Sequence, residues 1–369
     1  MSGPNDTSLL SRLSTLGTLP AEHRLVLAMI FRYRRSTVAQ LGRLCALPET
    51  KVAEILDQLV KAGRVEFTPV GPSGLYDVAL AGSLSLGEPR FAWGPIVPLF
   101  RQFNLLCDQS RVRALDTAID QFVQAGDVVF DLGCGLGLLT LMAARKGARV
   151  FSVEIDPYVA TAAECFLKSH LDPHQFTLCV EDVMKFSPGL RADVIICEML
   201  DTALVSEMQI PVMNRAVEEL LKPGGRVIPR SATTTITAAE VDFNIGPWSF
   251  PVPHFDAVDT NRIHARRSQP VVIHSADFSR YNETILTGEF DVLIGSPGTV
   301  NAIVLETSVD FGTGVQTPGS AWLDPPLVLP VMPQEFRDGV SLRVQLRYEM
   351  GGTLNDIQVR IPSVRGGHA

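Results

Sequence analysis

Two glutamates, Glu198 and Glu207, close off the segment Glu198-Met-Leu-Asp-Thr-Ala-Leu-Val-Ser-Glu207, which follows the apolar run Val194-Ile-Ile-Cys197. A carboxylate at each end of a short loop can grip a cation from two sides. Upstream, Asp131-Leu-Gly-Cys-Gly-Leu-Gly137 ends a second apolar run. A glycine-rich turn at the end of a buried strand lets a ligand approach backbone that side chains would otherwise screen. Together the two features read as a nucleotide-type cofactor held beside a paired-carboxylate clamp.

The turn narrows the cofactor. Gly133, Gly135 and Gly137 occupy it, but a dinucleotide fingerprint needs a small residue at 138, where Leu138 stands. The pattern G-C-G-x-G preceded by Asp131 is similar to that of S-adenosylmethionine (SAM) sites, and SAM has no phosphate to cradle. Glu154 ends the next strand, placed to accept hydrogen bonds from two ribose hydroxyls, and Asp182 follows the third, placed to accept from an adenine amino group. Each acid reads equally as a solvated loop carboxylate when taken alone.

The carboxylate pair suits a guanidinium. That group is a poor nucleophile because its charge is delocalised and its pKa exceeds about 12. Two carboxylates can concentrate the charge on the nitrogens they contact and leave the remaining one more nucleophilic. The sulfonium methyl is already activated, so alignment for in-line attack supplies much of the rate. The plainer reading of Glu207 is a carboxylate favouring a helix N-terminus.

The elements that must position these residues alternate. Strands are predicted at Val128–Asp131, Arg149–Glu154, Phe176–Val180, Val194–Cys197 and Arg226–Ile228, and helices at Leu138–Lys146, Pro157–Ser169 and Glu207–Leu221. Such alternation specifies a doubly wound, Rossmann-like parallel sheet over residues 105–230. From Ser231 to the end, Thr/Val/Ile strands with period-two alternation predict an antiparallel, barrel-like β domain, with a helix signal only about 249–268. Before the sheet, apolar periodicity gives helices at His23–Tyr33, after Thr37, and from Pro48 to Gly63, then strands at Arg64–Phe67 and Leu75–Val78. Three helices and a two-stranded wing make a winged helix-turn-helix over 1–85, followed by a linker over 86–104. Arg32, Arg34 and Arg35 would favour DNA, but the third helix carries Glu49, Glu54 and Asp57 beside Lys51 and Lys61. A phosphate-lined groove disfavours that balance, so the module is expected to dimerise or pack.

Bulk properties exclude other classes. The 369 residues are 46% hydrophobic and 20% charged, which describes more than one globular core. A net charge of −8 argues against a general nucleic-acid binder. No apolar run approaches the roughly 20 residues of a membrane helix, and no secretory leader is evident. Pro173 between His170 and His174 removes a shared helical face, so no metal is indicated. Cys45, Cys107, Cys134, Cys165, Cys179 and Cys197 form no C-x-x-C pair and read as reduced core residues of a cytoplasmic protein.

With these residues in view, the chain resembles the protein arginine methyltransferase family from about Leu105 to its end. That family carries a "double-E" hairpin with two glutamates at this separation after the same strand. Leu106-Cys-Asp-Gln-Ser-Arg111 looks like its L-x-D-x-x-R element, Ile228-Pro229-Arg230 like its entry into a β-barrel, and Asn301–Phe311 followed by Ser320-Ala-Trp322 like the stretch leading to its T-H-W loop. The resemblance implies that Arg111 pairs with the SAM carboxylate, that Asp108 helps order the active site, and that Trp322 lines the acceptor pocket or packs between domains. Ala321 replaces the family histidine, and the dimerisation arm about 249–268 looks short. Residues 95–105 hold no tyrosine, so the family's tyrosine-rich helix over SAM is expected to be missing. An N-terminal winged helix is similar to the dimerisation domains of bacterial small-molecule methyltransferases.

The leading expectation is a cytoplasmic, homodimeric SAM-dependent N-methyltransferase acting on a guanidinium, in free arginine, a small guanidine or an arginine of a peptide. One alternative keeps SAM and changes the acceptor to an amine or hydroxyl of a natural product. Another is a DNA-binding regulator that uses the Rossmann-like domain as a sensor.

Overall fold

In the computed structural model, the described residues are 19–20, 22–23, 25–27, 35–36, 38–62, 65–70, 75–80, 99–256, 262–314, 316–317 and 325–362. Most of the linker expected over 86–104 and most of the first predicted helix therefore lie outside them.

At the N-terminal end, β1 (Arg35–Ser36), α1 (Val38–Cys45), α2 (Glu49–Lys61), β2 (Val65–Val70) and β3 (Leu75–Leu80) follow one another. Pro48 stands at the N-cap of α2, where its missing N–H leaves no helical bond unmade. The strands form an antiparallel sheet in the order β1-β3-β2. Val26, Leu41, Val52, Ile55, Leu56 and Leu59 belong to a small separate core, against which Tyr158 also packs. The apolar side of α2 falls at i, i+3, i+4, i+7, as a helix that buries one face requires.

Helices α3 (Leu99–Cys107) and α4 (Gln109–Phe122) lead into β4 (Val128–Leu132), α5 (Leu138–Arg145), β5 (Arg149–Glu154), α6 (Pro157–Lys168), β6 (Phe176–Val180), β7 (Ala192–Cys197), α7 (Gln209–Arg215) and β8 (Leu221–Ile228). The five strands pair in parallel in the order β6-β5-β4-β7-β8. A parallel sheet is covered on both faces, which is why its strands are near-continuous Val, Ile and Phe. Val129 and Phe130, and likewise Val194 and Ile195, are successive residues that point to opposite faces, and all four are buried.

Three differences from the sequence reading bear on the site and its sheet. The end of the expected linker is helical, because α3 begins at Leu99. The helix expected from Glu207 starts at Gln209, and its last turn widens to a π-helical one over Ala216–Leu220. Strand β8 then begins at Leu221 rather than Arg226, taking in the Pro-Gly-Gly turn as an irregularity where its register on β7 shifts.

The antiparallel part follows: β9 (Ser231–Val241), β10 (Asn244–Ile245), β11 (Trp248–Ser249), β12 (His254–Phe255), β13 (Ile263–Arg266), β14 (Val271–Asp277), β15 (Ile285–Leu293), β16 (Gly298–Asp310), β17 (Gln316–Thr317), β18 (Leu327–Phe336), β19 (Ser341–Glu349) and β20 (Gln358–Arg360). One sheet runs β12-β18-β16-β9-β13, with β14 also on β9 and β17 on β16, and a second runs β15-β19-β20. The helix signal about 249–268 is not realised among the described residues, which form short strands and irregular segments there. Pro251 and Pro253 remove backbone donors and disfavour helix. The chain crosses from β8 to β9 through the cis bond Ile228–Pro229. A single hydrophobic core continues across that junction, from Val129 and Ile195 to Ile236, Leu305 and Tyr348.

Two of the cysteines expected in the core are exposed, Cys107 and Cys165, while Cys45, Cys134 and Cys197 are buried. The exposed pair sit on outer helical surfaces, where apolar neighbours in sequence do not imply burial. Among the described residues no helix is long and apolar enough to cross a membrane.

Candidate active site

The chain leaves β4 toward β5 on one side and returns to β7 on the other. Where strand order reverses in this way, the carboxyl ends leave a crevice. The glycine turn follows β4, Glu154 ends β5 and Glu198 follows β7, so all three features share it.

Gly133, Gly135 and Gly137 have φ of 77°, 55° and 86°, left-handed values that favour glycine. The N–H groups of Gly133 and Cys134 both donate to the Val153 carbonyl at 2.9 Å, tying the turn to β5. A Cβ on Gly133 would stand 2.4 Å from Met199 Cε, and one on Gly135 2.4 Å from Gln102 Oε1. The flexible ends of two side chains thus cover a cradle that any side chain in the turn would fill. Gln102 comes from α3, which occupies the place of the helix expected to be missing. The helix is present; its tyrosines are what the sequence lacks.

Glu154 is 6% exposed. One carboxylate oxygen accepts the Gly135 N–H at 3.0 Å and the other the Asp156 N–H at 2.9 Å. Burial pushes its carboxyl up to about 7, against the lowering effect of those two bonds. Each oxygen keeps acceptor capacity for a further donor. Asp131 is 1% exposed and accepts from the Thr140 hydroxyl at 2.6 Å; the same hydroxyl lies 2.7 Å from Ser152 Oγ. Burial raises its carboxyl to about 6. It therefore stands beneath the turn, bonded to the helix that follows. Asp182 accepts the Met184 N–H at 2.8 Å in the bend after β6.

On the other side of the crevice, Asp108 caps α4, accepting from the Arg111 N–H at 3.1 Å and the Ser110 hydroxyl at 2.6 Å. This cap fixes the first turn of α4, from which Arg111 projects. Arg111 Nη2 forms an ion pair with Glu198 in which both side chains are buried. Arg111 Nη1 donates to the Leu105 carbonyl at 3.3 Å, and Nε is buried with no hydrogen-bond acceptor. Burial lowers its pKa to about 10, while Asp108 and Glu207 act to raise it. The guanidinium stays charged at neutral pH, and both predicted clamp glutamates act on it.

The loop between those glutamates is held at its neck and its tip. At the neck, Gln209 accepts the Met199 N–H at 2.8 Å and donates to the Cys197 carbonyl at 3.0 Å. Within the loop, Asp201 accepts the Ser206 N–H at 2.8 Å and also accepts from the Ser206 hydroxyl. At the tip, Ala203 and Leu204 have φ of 64° and 55°, left-handed without being glycine. Each such residue costs about 1–2 kcal/mol. The β domain holds them there: Thr202 Oγ1 donates to the Pro325 carbonyl at 2.6 Å, the Ala203 N–H to Thr307 Oγ1 at 2.8 Å, and the Gly351 N–H to the Leu204 carbonyl at 2.9 Å. Tyr348 is buried nearby, its phenol pushed up by burial and then by Asp201.

Sequence reasoning missed Gln102, Gln209, Thr307 and Tyr348. Glutamines and hydroxyls at these separations carry no local signal; some of their roles arise from contacts between residues far apart in sequence, 104 positions between Ala203 and Thr307. Trp322 and Ala321 lie outside the described residues. Among the described residues no group of three or more His, Cys, Asp or Glu is placed to hold a metal.

Residues 114–231 match the family model described as ribosomal protein L11 methyltransferase. An uncharacterised protein of Methanothermobacter thermautotrophicus is 31% identical over 259 residues, 70% of this chain and 96% of that one. The arginine N(omega)-methyltransferase of Streptomyces achromogenes is 28% identical over 271 residues, 66% of this chain and 74% of that enzyme. Among solved structures, the Trypanosoma brucei PRMT1 enzyme–prozyme heterotetramer with AdoHcy has the same fold, with a TM-score of 0.57 at 21% identity over 66% of this chain and 86% of that one.

Proposed function

The chain belongs to the arginine-methyltransferase-like SAM-dependent methyltransferases, and on that premise we propose that it methylates a guanidinium nitrogen, of free arginine, a small guanidine or an arginine in a peptide. The observation that carries this reading is the pair Glu198 and Glu207, at the two ends of one strained loop beside the glycine turn.

The groups present fit SAM. Gly133 and Gly135 provide backbone that a ligand can approach, Glu154 has acceptor capacity for ribose hydroxyls, and Arg111 has a buried Nε without an acceptor. When bound, SAM supplies an electrophilic sulfonium methyl. On this reading Arg111 takes its carboxylate, Glu154 its ribose, Asp182 its adenine amino group, and Asp131 supports the turn of Gly133, Gly135 and Gly137 from below. Glu198 and Glu207 grip the acceptor guanidinium and aim its free nitrogen at the methyl. Asp108 fixes Arg111, and Trp322 lines the acceptor pocket.

The domain reading is a winged helix-turn-helix over 1–85 that packs or dimerises, a linker over 86–104, a SAM-binding domain over 105–230 and a barrel-like substrate domain over 231–369, in a cytoplasmic homodimer. The acidic residues Glu49, Glu54 and Asp57 on α2 support packing over DNA reading.

Incubation with methyl-labelled SAM and, separately, free arginine, an arginine-rich peptide and amine-containing metabolites tests the function. Label in a guanidino group is the expected result. Label confined to an amine or hydroxyl acceptor would reject it.

A further inference from the structure

Asp131, Thr140 and Ser152 form a buried line of oxygens across β4, α5 and β5, and none of the three is more than 1% exposed. Asp131 and Ser152 are register partners on neighbouring parallel strands, and Thr140 stands in the first turn of α5. The Thr140 hydroxyl spends its one proton on Asp131 at 2.6 Å. Toward Ser152, at 2.7 Å, it can then only accept, so Ser152 is the donor. The Thr140 N–H, among those left free at the start of a helix, also favours the ionised carboxylate. Protonating Asp131 would reverse the line. Thr140 would then donate to Ser152, whose own hydroxyl has no other partner among the described residues. Its proton would be left without an acceptor in a site closed to water, which is unfavourable.

We propose that Thr140 and Ser152 are positioning residues that hold Asp131 as a carboxylate, and that this buried charge makes the crevice prefer SAM, with its sulfonium, to the uncharged thioether S-adenosylhomocysteine. The proposal rests on SAM as cofactor and on no particular acceptor. The groups around Asp131 leave its charge unmatched. Thr140 meets it from α5, Ser152 from β5, Cys134 from the turn and Cys197 from β7, and no cation is among the groups that act on it. Burial, and after it Asp131, raises both thiols, so they stay protonated and neutral. Glu154 adds a second negative charge that reaches Cys134. A charge held out of water with no counter-ion favours a ligand that brings one. When the methyl leaves, the sulfonium becomes a thioether, and the carboxylate that tightens SAM no longer tightens the product.

Calorimetry on the full chain, without acceptor, tests this. SAM and S-adenosylhomocysteine are each titrated between about pH 5 and about pH 8. The two share their adenosine and amino-acid parts, so the effects of Glu154 and of other groups that meet those parts cancel in the ratio of dissociation constants. In the parent chain SAM is expected to bind roughly tenfold tighter at the upper end, and to lose that preference as pH falls through about 6, where Asp131 takes up a proton. Ser152→Ala and Thr140→Val are expected to move the midpoint up by about one pH unit or more. Thr140→Ser keeps the donor and is expected to leave it in place. Residues that only pack would weaken both ligands together and leave the ratio unmoved. Ser152→Ala, the milder change, carries the test if Thr140→Val does not fold. No preference for SAM in the parent chain, or a midpoint unmoved by Ser152→Ala, would overturn the proposal while leaving SAM as the cofactor. If neither ligand binds the parent chain, the cofactor reading falls and the proposal with it.

Discussion

Glu154 links the chemistry of one carboxyl to the pH dependence of the whole site. In the proposed role ribose hydroxyls would donate to its ionised form, and burial holds its pKa at about 7. Protons therefore compete with cofactor below that value. Affinity for S-adenosylhomocysteine is expected to be level above about pH 7 and to fall roughly tenfold per unit below it. Calorimetry across that range checks this, and Glu154→Gln is expected to bind more weakly at pH 8 and to lose the dependence. The same shift acts on folding with the opposite sense. The unfolded chain ionises this group near 4.3 and the ligand-free native chain near 7, so its contribution to stability is full below about 4.3 and is lost as pH rises through 7.

At the scale of elements, the hairpin between Glu198 and Glu207 is shaped by its partners rather than by its own sequence. Ala203 and Leu204 are left-handed because Thr307, Pro325 and Gly351 hold the backbone there. Ala203→Gly relieves about 1–2 kcal/mol of left-handed cost and adds about 0.5–1 kcal/mol of unfolded-state entropy. A small rise in denaturant midpoint is the expected outcome. Gln209→Ala removes two hydrogen bonds at the neck and is expected to lower stability by about 1–3 kcal/mol. It should also slow turnover more than it weakens S-adenosylhomocysteine binding; chemical denaturation, rate assays and calorimetry check the three effects. The strands, the glycine turn and most helices were legible in sequence because apolar periodicity and Gly/Pro punctuation are local. The start of α7 at Gln209, the left-handed tip and the strands about 249–268 were not, because long-range contacts and two prolines decide them. Glu154 could be singled out by its place at a strand end and Arg111 by its resemblance to the family's L-x-D-x-x-R element, but their hydrogen bonds and ion pair could not.

Across the whole molecule, the parallel sheet supplies the crevice and the β domain clasps the hairpin, through one core that spans both. The N-terminal elements keep their own small core and meet the rest at Tyr158, whose N–H donates to Asp156, close in sequence to Glu154. A dimerising module predicts a particle of twice the chain mass by analytical ultracentrifugation, and either a packing or a dimerising role predicts no binding to duplex DNA at physiological salt. Everything proposed for the chemistry depends on the clamp, and turnover with Glu198→Gln tests it most directly. With methyl-labelled SAM and arginine as acceptor, the variant is expected to lose about 100-fold or more in rate with no weakening of S-adenosylhomocysteine binding by calorimetry. Near-normal methylation of arginine by Glu198→Gln would contradict it.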